Sequence, residues 1–235
     1  MAETDDRLIV ALDTTDADRA AGWARAVAPH AGLFKLGLEF FLAHGAPGVR
    51  AITGRPIFLD LKLHDIPNTV AGGVRAVLPL APRMLTLHAA GGPAMIQAAR
   101  QAAEAAAPNR PMLLAVTVLT SLDDATLAAT GVPGGAAEQV LRLGRMAVAA
   151  GADGLVCSPR EVRMLRDALG GTARLVVPGI RPAGADAADQ ARTMTPEQAV
   201  AEGADWIVVG RPITASADPD AAAAAIATAI RAAGR

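Results

Sequence analysis

Lysine is almost absent from this chain: of its 22 basic residues only Lys35 and Lys62 are lysine, and every other one is arginine. Where a surface cation suffices, arginine is used. An ammonium differs from a guanidinium in being compact and in giving up its proton when its surroundings demand it. Both lysines lie inside apolar strand-like runs, FKLGL and LDLKL, which marks them as candidates for chemistry. Cysteine occurs once, which excludes a disulfide within the chain and a thiolate metal site; Cys157, in GLVCS, reads as a buried free thiol. The four histidines, at 30, 44, 64 and 88, form no HxxxH or HExxH pair, so no metal is expected. Neither GxxxxGK(S/T) nor a strand-linked GxGxxG occurs, so nucleoside triphosphate and dinucleotide cofactors lack their phosphate cradles. A formal net charge of -1 argues against a nucleic-acid partner. The longest bland run, AAAAAIATAIRAA, is too short to span a bilayer and reads as an alanine-rich terminal helix. No basic n-region and apolar h-region follow the acidic start MAETDDR, and the expected location is the cytoplasm, away from membranes.

What is present is alternation. The 235 residues, 52% hydrophobic, suit one α/β domain spanning 1–235. Eight short β-rich runs recur: LIVALD, LFKLGL, PIFLDLKL, MLTLHA, MLLAVTVL, GLVCS, LVVPGI and WIVVG. Between them lie stretches such as DADRAAGWARAVAPH, TVAGGVRAVLPL, GPAMIQAARQAAEAAA and AAEQVLRLGRMAVAAG, rich in helix formers with spaced apolar residues. Strict strand–helix alternation implies a parallel sheet, and eight units suggest a closed (β/α)8 TIM barrel, with a doubly wound open sheet as the alternative.

Active sites of such barrels occupy the carboxyl ends of the strands. The stretch FLDLKLHDIPNTV, 58 to 70, places Phe58, Asp60, Lys62 and His64 on one face and Leu59, Leu61 and Leu63 on the other. That pattern fits a structural ion pair or a site; the two scarce lysines favour a site. Asp13, His88, Thr120 and Ser121 fall at other strand ends and the second strand carries Lys35, with Ile9, Ala11 and Asp13 on one inward face and Met84, Thr86 and His88 on another. His88 is expected to be a hydrogen-bonded strand-end residue, and the fifth strand, apolar on both faces, leaves its parity open. The late turns VVPGIRP and VVGRPIT are placed where barrels bind phosphate with backbone N–H groups at a short helix and a cation; Gly210 allows close approach and Arg211 offers a forked donor. Between them RPAGADAADQARTMTPEQ has the length of a lid, from which Gln190 would reach a phosphate; its MTPEQA end is a capping box.

DLKLHDIPNT together with VTVLTS, PGIRP, DQ and VGRPIT resembles the orotidine 5'-monophosphate decarboxylases over nearly the whole chain. The resemblance implies decarboxylation of orotidine 5'-monophosphate to uridine 5'-monophosphate, in pyrimidine biosynthesis, without a cofactor. It implies that Asp60, Lys62 and Asp65 are the catalytic motif and Lys35 the lysine that completes a network of alternating charge. It further implies that Asp65 and Thr69 are given to the site of a partner subunit in a homodimer. By the same resemblance Asp13 contacts the ribose and Thr120 the pyrimidine, while Pro178, Arg181, Gln190, Gly210 and Arg211 line the base and phosphate ends. The DxKxxD core is shared with magnesium-dependent sugar-phosphate decarboxylases and synthases, in which a glutamate ends the second strand; Lys35 takes that position here, with Glu39 close by. A non-catalytic phosphate-ligand barrel is the alternative of another class.

Overall fold

The computed structural model describes residues 7–182 and 194–234. Within them strand and helix alternate as β1 (Leu8–Ala11), α1 (Ala17–Val27), β2 (Leu33–Gly37), α2 (Leu38–Ala51), β3 (Ile57–Leu63), α3 (Pro67–Val77), β4 (Met84–His88) and α4 (Gly92–Ala103). The second half continues as β5 (Met112–Val116), α5 (Asp124–Ala129), α6 (Ala136–Ala149), β6 (Gly154–Val156), α7 (Val162–Leu169), β7 (Arg174–Val177), α8 (Pro196–Ala201), β8 (Trp206–Val209), α9 (Arg211–Thr214) and α10 (Pro219–Ala233). Every strand pairs in parallel with the next, and β8 returns to β1 through Leu8↔Ile207, Ile9↔Val208 and Val10↔Val209. That closure makes a (β/α)8 barrel and removes the open-sheet alternative.

Two apolar layers hold it. Ile9, Ala11, Leu33, Phe58, Met84, Leu114, Val176 and Val208 fill the barrel interior. The alternate residues, among them Val10, Phe34, Leu59, Leu85, Leu113, Leu155, Leu175 and Ile207, join the buried faces of the helices in one outer layer. Each fully buried leucine or phenylalanine contributes about 1.5–3 kcal/mol, so burial on both faces explains why the strands read as near-continuous apolar runs. The parity of β5 is thereby fixed, with Leu114 inward and Leu113 outward. The helices form where the sequence spaces small apolar residues one turn apart: α1 buries Ala20, Ala24 and Val27, and its N-cap Asp16 accepts from Arg19 N. The expected capping box is formed at α8, where Thr195 Oγ1 accepts from Gln198 N and Gln198 Oε1 accepts from Thr195 N. The alanine-rich end of the chain forms α10.

The amino ends of β6 and β8 are tied by one device used twice. Asp153, just before β6, accepts from Leu113 N of β5 and from the guanidiniums of Arg110 and Arg100. Asp205, just before β8, accepts from Leu175 N of β7 and from Arg166 and Arg174. Both aspartates end a Gly-Ala-Asp triplet whose glycine, at 151 and 203, has φ of +104° and +107° and lies under the arginine stem from the earlier helix. These networks lie at the end of the barrel away from the carboxyl termini of the strands. No helix among the described residues is long and apolar enough to cross a membrane.

Two local departures from the sequence reading matter for the site. β5 leaves the ladder after Val116, so Thr120 and Ser121 sit in the turn beyond it rather than at the strand's end. In β3 the faces alternate as expected, with Leu59, Leu61 and Leu63 toward the helices and Phe58, Asp60 and Lys62 toward the cavity, but the pairing register shifts: Leu59 pairs with Leu85 while the next partner of β4, Leu87, pairs with Leu63, and Lys62 within this bulge has φ +51°. An L-residue there costs about 1–2 kcal/mol, and the strain falls on one of the chain's two lysines.

Candidate active site

At the carboxyl ends of the strands opens a cavity of about 420 Å³. One wall is a chain of alternating charge. Lys35 Nζ, from β2, donates to Asp13 Oδ1 beyond β1 at 2.8 Å and lies 3.6 Å from Asp60 Oδ2 of β3. Lys62 Nζ donates to the same Asp60 Oδ2 at 2.8 Å. The other oxygen, Asp60 Oδ1, accepts from the Thr86 hydroxyl at 2.9 Å. Inward-facing positions of three adjacent strands supply Lys35, Asp60, Lys62 and Thr86, Lys62 keeping that face through the bulge of β3.

The electrostatics follow from the arrangement. Burial alone would pull the Lys35 ammonium down, but the charges of Asp13 and Asp60 and their hydrogen bonds overcome it and raise its pKa above the ordinary lysine value. Burial pushes the Asp60 carboxyl up; Lys35, Lys62 and the hydrogen bonds from Lys62 and Thr86 outweigh that and hold it below the ordinary range. Across the strand end, the His88 ring lies 5.3 Å from that of His64. Burial, with the neighbouring His64 and the Lys62 ammonium and against the pull of Asp60, depresses His88 and favours its neutral form.

The opposite wall is made by Thr120 after β5, Pro178, Gly179 and Arg181 after β7, and Gly210 and Arg211 after β8. Arg181 is buried and its Nη1 donates to Ile180 O. Gly210 caps the short helix α9 and Arg211 begins it, the short-helix and cation pairing expected from VVGRPIT. Val116, Val118, Leu119, Val156 and Cys157 give the cavity an apolar side. The Cys157 thiol is pushed up by burial and by the Glu161 carboxylate, against the pull of Arg166, so it is packing rather than a nucleophile.

Of the residues expected at the site, the structure gathers Asp13, Lys35, Asp60, Lys62, Thr120, Pro178, Arg181, Gly210 and Arg211 around one cavity. Asp65 and Thr69 lie outside it, exposed on the surface, with Asp65 Oδ1 accepting from Ile66 N at 2.6 Å. Gln190 and the expected lid, 183–193, fall outside the described residues. His64, grouped with Lys62 by strict alternation, is exposed and does not line the cavity, because β3 ends at Leu63 and His64 lies beyond it. The sequence reading placed Thr86 on the inward face without giving it a role; its signal was a hydroxyl in the middle of an otherwise apolar strand, MLTLH. Glu39 is exposed on the first turn of α2, away from the cavity, and the described residues bring together no group of three His, Cys, Asp or Glu side chains.

A closed parallel barrel with a lysine–carboxylate wall and cationic turns after its seventh and eighth strands defines a barrel enzyme site for a small anionic molecule. The chain belongs to the orotidine 5'-phosphate decarboxylase / HUMPS family, whose pattern residues 6–226 match. An orotidine 5'-phosphate decarboxylase of Gluconobacter oxydans is 56% identical over 224 residues, covering 94% of this chain and 95% of that protein. One from Thermobifida fusca is 54% identical over 223 residues and covers 94% of each. The crystal structure of orotidine 5'-phosphate decarboxylase from Lactobacillus acidophilus superposes with a TM-score of 0.85 at 40% identity, covering 96% of this chain and 99% of that one.

Proposed function

We infer that this chain decarboxylates orotidine 5'-monophosphate to uridine 5'-monophosphate, the step that completes the pyrimidine nucleotide in its biosynthesis. The observation that carries the reading is the Asp13–Lys35–Asp60–Lys62 wall, with Nζ to Oδ distances of 2.8, 3.6 and 2.8 Å, in a member of this family. In the reaction the bond from ring carbon C6 to the carboxylate breaks and its electron pair stays on C6. The ring offers that pair no adjacent electron sink, so the protein must stabilise the carbanion. Enzymes lower barriers by about 8–23 kcal/mol, and this reaction calls for the upper part of that range. The Lys62 ammonium stabilises the developing charge, then transfers a proton from Nζ to C6, and regains one from solvent. Asp60 ion-pairs with Lys62 and faces Lys35, so the wall is organised before substrate arrives. At about 4 Å and an effective dielectric of about 20, Asp60 and a substrate carboxylate repel by roughly 4 kcal/mol, a repulsion that ends as carbon dioxide leaves.

Asp13 and Lys35 hold the ribose hydroxyls, Thr120 and Pro178 the base, and Arg181, Gln190, Gly210 and Arg211 the phosphate. Phosphate held at a distance from the reacting carbon supplies binding energy that organises the charged wall, so a nucleoside lacking it loses turnover as well as affinity. The whole chain, 1–235, acts as one barrel in the cytoplasm, in keeping with a free buried thiol.

Asp65 and Thr69 complete the site of a second subunit in a homodimer. Their exposure supports this, as does Ile66 between them, an apolar side chain 67% exposed in the protomer alone. Mixing Lys62→Ala and Asp65→Ala proteins, each inactive, should restore about a quarter of wild-type activity, because random pairing leaves one intact site in half of the dimers. No restoration would remove the shared site. Loss of orotidylate absorbance in an assay with and without EDTA tests the reaction itself. Undiminished turnover in EDTA is expected; turnover that required magnesium would indicate the sugar-phosphate branch of the family, and bound nucleotide without turnover a non-catalytic barrel.

A further inference from the structure

Thr86, in the middle of β4, is fully buried and does not line the cavity. Its hydroxyl nevertheless makes two bonds to the site: it donates to Asp60 Oδ1 at 2.9 Å and accepts from Lys62 N at 2.9 Å. The second bond lies where the backbone ladder between β3 and β4 is interrupted, between the pairs Leu59↔Leu85 and Leu63↔Leu87. A buried amide left without an acceptor is costly, and the hydroxyl supplies one at the bulge. The same bulge gives Lys62 its φ of +51°, a strained conformation that persists only when its surroundings determine it.

We propose that Thr86 is a positioning residue: its hydroxyl locks the Asp60 carboxylate and the β3 bulge as one unit, so that Lys62 Nζ is presented to the reacting carbon. The inference rests on Lys62 being the proton donor. Both atoms that Thr86 holds belong to the Asp60–Lys62 pair, one to the side chain that orients the ammonium and the other to the backbone from which it projects. A hydroxyl is required because the group must donate to a carboxylate and accept from an amide at once. Valine has the shape of threonine and does neither. Cysteine is smaller than valine and a weak donor, and serine keeps the hydroxyl.

The test compares Thr86→Val, Thr86→Cys and Thr86→Ser, each as full-length protein with the fraction of intact sites counted by titration with uridine 5'-monophosphate. For Thr86→Val and Thr86→Cys, kcat per intact site is expected to fall about 10–100-fold with KM changed less than about threefold. Thr86→Ser should stay within about threefold of wild type. In an Asp60→Asn background, Thr86→Val should cost less activity than in wild type, because one of the two bonds of its hydroxyl serves the Asp60 carboxylate. If Thr86→Val does not fold, Thr86→Cys carries the same comparison. Wild-type kcat in Thr86→Cys or Thr86→Val, losses confined to KM, or losses that multiply with Asp60→Asn would overturn the proposal. A failure of the underlying reading looks different: wild type itself would leave orotidylate unchanged, or Lys62→Ala would turn it over normally.

Discussion

Gly37 is the last residue of β2, on the same face as Lys35, and its value lies in the side chain it lacks. Its backbone is extended, φ -87° and ψ -178°, so alanine would bring no conformational strain. A Cβ there would lie 3.0 Å from Asp13 Oδ1 and 3.1 Å from Lys35 Nζ, inside the space the ion pair occupies. Gly37→Ala should therefore lower kcat/KM by about tenfold through displacement of the pair, while the melting temperature moves by less than about 2 °C. Wild-type kinetics would show that the placement of this pair is unimportant. The lysines show how far residue-scale reading reaches. Their scarcity made Lys35 and Lys62 stand out, and both line the cavity. Glycine at 37 carried no such signal, because its reason is a contact across two strands that only the folded register creates.

Among the described strands, β3 is the one whose pairing shifts register. Alternation along FLDLKLH sorted Phe58 and Asp60 correctly onto the inner face, but it cannot report a bulge, since a bulge is defined by the partner strand and not by the strand's own sequence. The register shift and the positive φ of Lys62 come together, yet Lys62 still lines the cavity beside Asp60; only His64, past the end of the strand, does not. A consequence for stability follows. Glycine adopts positive φ freely, so Lys62→Gly should be more stable to urea than Lys62→Ala by about 1 kcal/mol, after the larger backbone entropy of glycine in the unfolded chain is counted. An alanine variant equal to or more stable than the glycine variant would mean that the bulge carries no strain. The strand ends were legible for the same reason that the bulge was not: apolar runs and glycine-bearing turns are local, whereas ladder interruptions are not.

At the scale of the whole molecule, the barrel divides its labour between its ends. The carboxyl ends carry the strained, charged wall, and the amino ends carry the Asp153 and Asp205 ties that hold neighbouring strands. Eight-fold alternation makes the closed barrel readable from composition and period, yet the repeated tie is not legible there, because Gly-Ala-Asp is short and the arginines that complete each tie come from elsewhere in the chain. Burial alone would raise the Asp153 carboxyl, but the Arg110 hydrogen bonds, Leu113 N–H and the charges of Arg110 and Arg100 hold it below the ordinary carboxylate value. A lowered folded pKa means that the unfolded chain binds the proton more readily. The tie therefore contributes fully above about pH 4 and is lost as pH falls through the folded value. Asp153→Asn should cost about 2–4 kcal/mol in urea unfolding at pH 7, and the gap from wild type should narrow as pH is lowered from about 5 to 2. A gap independent of pH would contradict this account of the tie. In the proposed mechanism the site at the other end depends on one event, delivery of a proton from Lys62 to the carbon that loses carbon dioxide. Proton NMR of the nucleotide formed from orotidine 5'-monophosphate in deuterium oxide tests it most directly. Wild-type protein should yield uridine 5'-monophosphate deuterated at C6, and Lys62→Ala should form it more than about 10⁴-fold more slowly. Unchanged orotidylate with wild type, or deuterated product at a near-normal rate from Lys62→Ala, would contradict the assignment of the proton to Lys62.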